Sequence, residues 1–355
     1  MKILMLVNWQ VKYLINDEHD IQPPDKVVKG KKYWFFRCWP QKNIRVDVVD
    51  YTRLPFLHYI EKRGLKFYVG QALKVLPRIE AYDVIISHGA QSGVLLSFVR
   101  SLMGRKYPPH IIIDIGCFNG GRNNILEILP IKFAGRSLSG IIYHAKVQHE
   151  YYKKHLSFLV NKTRFIPFGV DTDFFSPLET NGSDYVLAFG YHKRDYKTLC
   201  EAWRLLQFRN IELTVIGMNN PHRFGIGASS DSVRVIKSAS IKRLKEILAN
   251  AKFVVIPLPF FNYAYGQMSL LQSMSMGKAV IVTRTPSTID YVNDGCNAIF
   301  VEPFNVEDMY KKIKFLIKHP KQAKELGFEA RKSVLEQFNE RIMAAGICNF
   351  IRNIV

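Results

Sequence analysis

The chain has 355 residues, a length that suits two domains better than one because hydrophobic cores usually stop growing at about 250–300 residues. Lysines and arginines number 50 against 30 acidic residues, and the net charge of +20 indicates an anionic partner: nucleotide phosphates, an anionic membrane face or nucleic acid. A lysine-rich surface that only aids solubility accounts for this charge equally well. The sequence contains no long uncharged apolar run, so no transmembrane helix is expected. It contains no recognisable nucleic-acid-binding fold, so a nucleic-acid partner is not expected.

The cysteines and the apolar start of the chain indicate its compartment. Five scattered cysteines without a Cys-x-x-Cys spacing favour free thiols in a reducing cytoplasm over a zinc site or a disulfide framework. Residues 1–8 are too short for the apolar core of a signal peptide and are interpreted as a buried first strand. We expect a cytoplasmic protein, and the positive charge leaves open peripheral contact with the cytoplasmic membrane face.

The first half of the chain predicts a parallel sheet. Apolar, often β-branched segments typical of buried strands lie at 2–8, 44–51, 82–87, 110–115 and 140–143. Segments with helical spacing lie between and after them, at 94–103 and 146–159. Strands that alternate with helices predict a doubly wound α/β domain, in which ligands bind at the carboxyl ends of the strands.

A second series of strands follows a junction at 164–177 and a linker at 179–184. The predicted strands lie at 185–190, 211–217, 232–237, 253–258 and 279–283. The predicted domains are therefore an N-terminal Rossmann-like domain at 1–178, a C-terminal Rossmann-like domain at 184–338, and a C-terminal helix at 339–355 for which we consider packing against the N-terminal domain.

The segment at 253–283 is the most informative part of the sequence. It predicts a strand, a loop ending in Gly266, a helix from about Ser269 to Met276, a stop at Gly277, and a second strand. A glycine lets the backbone approach a ligand closely, and the amides that open a helix favour an anion. The segment therefore predicts a phosphate site, although the same unit often makes only a tight turn.

This segment resembles the nucleotide-sugar site of retaining GT-B glycosyltransferases of family 4. The family pattern is Glu-Gly-Phe-Gly, four residues, Glu-Ala-Met-Ala, one residue and Gly. Aligning Met274 and Gly277 with it places Ala264 at the first glutamate and Gln272 at the second. An amide can still bond ribose hydroxyls, whereas alanine bonds nothing. The resemblance implies a GT-B fold, with two Rossmann-like domains facing a central cleft, and donor contacts from Gly266, Gln267, Met268, Ser269 and Gln272.

The same resemblance extends to the loop after the strand at 185–190. The family places a lysine before the segment Gly-x-x-x-Leu-x-x-Ala, and Leu199-Cys-Glu-Ala202 puts Arg194 at that lysine. An arginine fork suits a diphosphate, so Gly190, Arg194 and Lys197 complete the predicted donor site. Lys193 or His192 compensates for an arginine that the family carries directly after Gly190. The alternative is a surface pair in which Arg194 and Asp195 cap the next helix.

Two strand ends in the N-terminal domain carry the catalytic candidates, His88 and Asp114. Family members often have a histidine near the second of these strand ends, where this chain has none, and Asp114 or Asn119 takes a comparable place. His88 lies one strand away, and a hydrogen-bonded structural histidine is the alternative there. Asp171-Thr-Asp173 lies in the junction, so no metal site is predicted. The resemblance implies metal-independent stabilisation of the leaving diphosphate, retention through same-face attack, and no cofactor.

The sequence thus predicts a hexosyltransferase that uses a nucleotide diphosphate sugar and an acceptor that is a glycan, a lipid or a protein. A GT-B sugar-nucleotide epimerase is one alternative. A catalytically silent GT-B binding protein is a second, because Ala264 and Gln272 replace both family glutamates. A nucleic-acid or membrane-surface binder is a third, suggested by the charge and by the aromatic and cationic residues at 31–40.

Overall fold

A computed structural model describes residues 1–17, 20–41, 43–51, 59, 61, 68–104, 106–116, 118, 125–191, 193–206, 210–224 and 232–355. The chain forms two compact units. The first unit contains Met1–Pro167, Asn262–Ala264 and Arg341–Val355, and the second unit contains Phe168–Phe261 and Tyr265–Glu340.

The first unit is built on a six-stranded parallel sheet. In chain order its strands are β1 (Lys2–Val7), β4 (Arg45–Val49), β5 (Val84–His88), β6 (His110–Asp114), β7 (Gly140–Tyr143) and β8 (Thr163–Phe165), arranged as β4-β1-β5-β6-β7-β8. A separate parallel pair consists of β2 (Lys12–Leu14) and β3 (Lys26–Val28). The helices are α1 (Val69–Val75), α2 (Ala90–Leu102), α3 (Ile125–Gly135) and α4 (Gln148–His155). Short 3-10 segments lie at Pro23–Asp25, Trp34–Cys38, Leu76–Ala81 and Ser157–Lys162.

The second unit repeats this architecture. Its strands are β9 (Tyr185–Phe189), β10 (Glu212–Ile216), β11 (Val233–Ile236), β12 (Val254–Ile256), β13 (Val280–Thr283) and β14 (Ile299–Val301), in the parallel order β11-β10-β9-β12-β13-β14. The helices are α5 (Tyr196–Arg204), α6 (Ile241–Asn250), α7 (Gln267–Ser275), α8 (Val306–Lys318) and α9 (Pro320–Gln337). The chain then forms α10 (Glu340–Arg352).

The central strands are buried on both faces, which explains their continuous apolar runs. In the second unit, two clusters of buried side chains lie on opposite faces of the sheet, one around Leu187 and Val254 and the other around Val186 and Val255. Neighbouring residues of one strand enter different clusters because successive side chains point to opposite faces. The prediction of two doubly wound parallel-sheet domains is confirmed.

The C-terminal helix α10 is part of the first unit. Its side chains Ile347, Cys348 and Ile351 are buried. Phe350 lies so close to β7 that a Cβ on Gly140 would come within 2.8 Å of its ring, so a larger residue at the start of that strand would have to displace the ring.

The second unit begins earlier than the predicted boundaries at 178 and 184. Val170 forms a parallel bridge with Asn339, and its amide donates to the carbonyl of Phe338 at 3.0 Å. These backbone bonds attach the predicted junction to the end of α9, so the second unit starts at Phe168. The helix predicted at 146–159 is also shorter, because α4 ends at His155 and a 3-10 turn continues at Ser157–Lys162.

Candidate functional site

The strand order of the second unit locates its candidate ligand site. Numbered along the chain, the order is 3-2-1-4-5-6, so the connections change direction between β9 and β12. Ligands of doubly wound sheets bind outside the carboxyl ends of the strands at this switch point. The loop after β9 carries Gly190 and Arg194, and the loop after β12 leads to Gly266 and α7. The amide of Asp195 donates to the carbonyl of Pro257 at 3.0 Å, which joins the two loops.

Gly266 is the N-cap of α7 and has the left-handed conformation, with a φ of +85°. A Cβ at this position would lie 2.6 Å from Cδ1 of Leu258. Both the backbone conformation and the close approach therefore require glycine. The helix begins at Gln267, two residues before the predicted start, so the amides of Gln267, Met268 and Ser269 form its first turn. These first amides have no partner within the helix and carry the positive end of its dipole.

Arg194 lies at the beginning of α7. Its Nη2 donates to Oγ of Ser269 at 2.8 Å, its Nε donates to the carbonyl of Phe189 at 3.2 Å, and the guanidinium lies 5.5 Å from the ring centroid of Tyr265. A Cβ on Gly190 would collide with the guanidinium, so this glycine makes room for it. A fixed cation and the positive end of a helix thus meet at one point, and this arrangement favours an anion.

Asp195 separates the two interpretations of the Arg194–Asp195 pair. Its Oδ1 accepts a hydrogen bond from the amide of Thr198 at 3.2 Å and caps α5, whereas Arg194 turns to α7. Lys193, with a φ of +47°, places its ammonium 5.1 Å from the ring centroid of Phe261. Lys197 lies exposed in the first turn of α5, and within the described part of the chain it makes no hydrogen bond to Arg194 or Ser269. His192 lies outside the described residues.

The other predicted donor residues differ in exposure. Gln267 and Gln272 are 6% and 4% exposed, whereas Met268 is 41% exposed. The side-chain nitrogen of Gln267 is buried without a partner among the described residues. A buried donor without a partner costs free energy, which a ligand acceptor would offset. Ala264 is 9% exposed and belongs to the first unit.

In the first unit, the strand order places His88 at the corresponding switch point. The order is 2-1-3-4-5-6, so the connections reverse between β1, which leads to Trp9, and β5, which ends in His88. His88 is 6% exposed, and its ring centroid lies 4.9 Å from that of Trp9 and 5.2 Å from that of Trp34. Neither ring nitrogen has a hydrogen-bond partner among the described residues. Burial lowers the pKa of His88 to about 3, so the imidazole is neutral at pH 7.

Asp114 is fully buried and already has several hydrogen-bond donors. Its carboxylate accepts from the hydroxyl of Tyr152 at 2.5 Å, the amide group of Gln148 at 2.9 Å and the backbone amide of Gly116 at 2.9 Å. These bonds hold α4 to the end of β6. Asp114 thus has a structural task, and a catalytic role for it stays a prediction. Asn119 lies outside the described residues.

The sequence analysis did not predict two features of these strand ends. Tyr265 contributes the ring beside Arg194, and its place directly before Gly266 was the available signal. Trp9 and Trp34 enclose His88, and Trp34 has a φ of +42°, which is uncommon for an aromatic residue. No pattern spacing connects residues 9, 34 and 88, so only the tertiary structure brings them together.

Comparison with known proteins identifies the fold. Sucrose-phosphate synthase from Thermosynechococcus elongatus superposes with a TM-score of 0.71 at 13% identity, with 99% of both chains covered. HepE from Anabaena, in complex with UDP-glucose, gives a TM-score of 0.70 at 15% identity, with 99% of this chain and 100% of that chain covered. The chain has the GT-B fold. Residues 184–319, which include the Gly190–Arg194 loop and α7, match the family model described as group 1 glycosyl transferases.

A curated relative gives a partial match. MMP alpha-(1->4)-mannosyltransferase from Mycolicibacterium hassiacum is 25% identical over 193 residues, which cover 51% of this chain and 46% of that protein. The match thus spans about half the length of each of the two proteins. Within the described residues, no helix is both long and apolar enough to cross a membrane, and no cluster of three potential metal ligands is present.

Proposed function

We propose that this GT-B protein is a glycosyltransferase that moves a sugar from a nucleotide diphosphate sugar to an acceptor, with retention of configuration. The observation that carries the proposal is the meeting of Arg194, Ser269 and the first turn of α7 at the switch point of the second sheet. The match of residues 184–319 to group 1 glycosyl transferases supports it, as does the UDP-glucose complex of HepE.

The donor is held through its diphosphate. Its negative charge lies against the guanidinium of Arg194 and the free amides of Gln267, Met268 and Ser269. The buried side-chain nitrogen of Gln267 gains an acceptor from the donor, and Gln272 bonds the ribose hydroxyls. The ring of Tyr265, 5.5 Å from the guanidinium, helps to hold this cation in place before the donor binds.

Transfer breaks the bond between the anomeric carbon and the diphosphate oxygen. The electron pair stays with the diphosphate, and Arg194 and the amides of α7 stabilise the charge that develops there. The acceptor hydroxyl forms the new bond on the same face of the sugar, and its proton passes to the departing phosphate oxygen. The scheme assigns no step to a metal or a cofactor. In the first unit, His88 at the end of β5 is neutral at pH 7 and offers a hydrogen-bonding group without a charge.

The experiment that tests this proposal is a screen of nucleotide diphosphate sugars by thermal shift, followed by measurement of donor hydrolysis and of transfer to glycan, lipid and protein acceptors. Occupancy at 100 times the Kd stabilises a protein by about 2.7 kcal/mol. We expect one nucleotide class to stabilise the protein and its sugar to be released or transferred.

A catalytically silent nucleotide-sugar binding protein is the second candidate. It is favoured by Ala264, where the family pattern has a glutamate. A thermal shift with no hydrolysis or transfer from any donor would select this second candidate. The absence of both a shift and turnover would reject both.

A further inference from the structure

A groove on the second unit lies at the opposite end of α7 from Arg194. It has a volume of about 600 Å³ and is lined by α9, by the turn after α7 and by the segment before β9. Its lining residues are Pro177, Leu178, Thr180, Ala249, Met276, Gly277, Lys278, Lys324, Phe328, Arg331, Lys332, Leu335 and Glu336. Since α7 has nine residues, its length separates the groove from the first-turn amides by about 13 Å.

The charge of the groove is strongly one-sided. Four of its lining residues are cationic, namely Lys278, Lys324, Arg331 and Lys332, and Glu336 is the one acidic residue among them. Phosphate groups are the complement of such a lining, because clustered lysines and arginines raise the local concentration of anions.

Two of these cations are fixed in position by the fold. Nζ of Lys278 donates to the carbonyls of Ala249 at 2.6 Å and Ala251 at 2.8 Å, at the end of α6. Nη1 of Arg331 donates to the carbonyls of Phe175 at 3.3 Å and Ser275. Both cations are thus held by neutral carbonyl groups at the groove.

Exposed apolar side chains border the same cations. Phe328 is 69% exposed, Leu335 is 45% exposed and Leu178 is 42% exposed. On α9, Lys324, Phe328 and Leu335 are spaced at i, i+4 and i+11, so one stripe of the helix presents both lysine and apolar groups to the solvent. Such a stripe suits the boundary of a bilayer, where apolar groups enter the acyl region and lysines meet the phosphates.

We propose that this groove is the surface by which the protein docks on an anionic phospholipid bilayer. Lys324 and Lys332 contact lipid phosphates, and Phe328 and Leu335 enter the interface. The combination of exposed apolar side chains with clustered cations favours a bilayer over a soluble phosphate, which would use the cations alone. The net charge of +20 adds long-range attraction to an anionic leaflet. The inference is independent of sugar transfer, because it involves none of the donor-site residues.

The test is flotation of the full chain with vesicles of phosphatidylcholine alone or mixed with phosphatidylglycerol. We expect binding only to the mixed vesicles, and less of it at high salt. The double variant K324E/K332E should bind about 30-fold more weakly or worse, since each basic residue near the surface contributes a factor of roughly five. K237E/K318E is the matched control: both lysines are exposed, lie outside the groove and carry the same change of charge. It should keep most of the binding.

The apolar contribution is measured with F328S against F304S, because Phe304 is 61% exposed and lies outside the groove. F328W supplies a spectroscopic readout, and its emission should shift to the blue with mixed vesicles only, after subtraction of the unmodified protein. The far-UV spectrum and the melting temperature without ligand should stay unchanged in all groove variants, which shows that they fold whether or not a nucleotide sugar binds.

Three results would overturn the proposal. One is equal weakening by K324E/K332E and K237E/K318E, which would mean binding through net charge alone. Another is stabilisation by glycerol phosphate without any binding to vesicles, which would mean a soluble phosphate ligand. The third is binding of an acidic peptide but of no vesicle, which would mean a protein partner.

Discussion

Replacing Arg194 by alanine removes the guanidinium that donates to Oγ of Ser269 at 2.8 Å and stacks 5.5 Å from the ring centroid of Tyr265. A hydrogen bond to a charged group contributes about 1.5–3 kcal/mol. Since about 1.4 kcal/mol corresponds to a tenfold change, the variant should bind the nucleoside diphosphate roughly 10- to 150-fold more weakly. The matching nucleoside lacks the diphosphate, and its affinity should hardly change.

Isothermal titration calorimetry with both ligands measures this difference directly. The nucleoside diphosphate for this titration is the one that gives the unmodified protein the largest thermal shift. Arg194→Lys is the conservative control, because it keeps the charge but loses the planar fork, and we expect an intermediate affinity. Far-UV circular dichroism of each variant verifies that the second unit remains folded.

Gly190→Ala is a second variant that tests the position of the Arg194 guanidinium. The added Cβ would collide with it and displace it from Ser269 while leaving its charge in the protein. Alanine would also strain the backbone at the φ of +143°, so the comparison requires a native far-UV spectrum. We expect selective loss of diphosphate binding here too. Equal losses of nucleoside and diphosphate affinity in Arg194→Ala would refute the reasoning and make Arg194 a structural residue.

Three further predictions concern single positions. Gly266→Val should abolish donor binding while the far-UV spectrum stays native. It should also lower the free energy of unfolding by about 2–5 kcal/mol, because valine is strained at a φ of +85° and its Cβ would lie 2.6 Å from Leu258. Unchanged donor affinity would show that the donor site does not lie at this loop. Burial lowers the pKa of His88 from its ordinary value of 6.5 to about 3 in the folded protein, so its contribution to stability is present above pH 6.5 and is lost as the pH falls towards about 3. Denaturant unfolding of His88→Phe should therefore show an acid-side slope shallower by about 1.4 kcal/mol per pH unit, and an unchanged slope would contradict burial of a neutral imidazole. Gln272→Ala should reduce donor affinity more than Gln272→Glu does, because glutamate keeps an acceptor for the ribose hydroxyls, and the reverse order would place Gln272 away from the ribose.

The sequence was sufficient for the periodic elements. The strand predicted at 140–143 coincides with β7, and the strand predicted at 279–283 differs from β13 by one residue. Runs of β-branched residues buried on both faces carry this information locally.

The candidate site could be predicted only in part. Arg194 was predicted from the resemblance to the family pattern, and Gly266 from the strand–glycine–helix unit together with that resemblance. The structure places both at the switch point of the second sheet. Lys197 was included in the predicted donor site only because of its position in the sequence, and its side chain lies exposed on α5. The enclosure of His88 by two tryptophans depends on contacts between residues far apart in sequence, and local patterns contain no information about such contacts.

The return of α10 to the first unit limits how the protein can be dissected. A fragment that ends at Pro167 would lack Phe350, whose ring covers Gly140, and the buried side chains of Ile347 and Ile351. Its sheet would expose an apolar face to water, and such a fragment would aggregate when expressed alone. Supplying residues 341–355 as a separate peptide, or fusing them to the fragment through a flexible linker, should restore solubility. The first unit is thus a discontinuous folding unit that is complete only after the second has been synthesised.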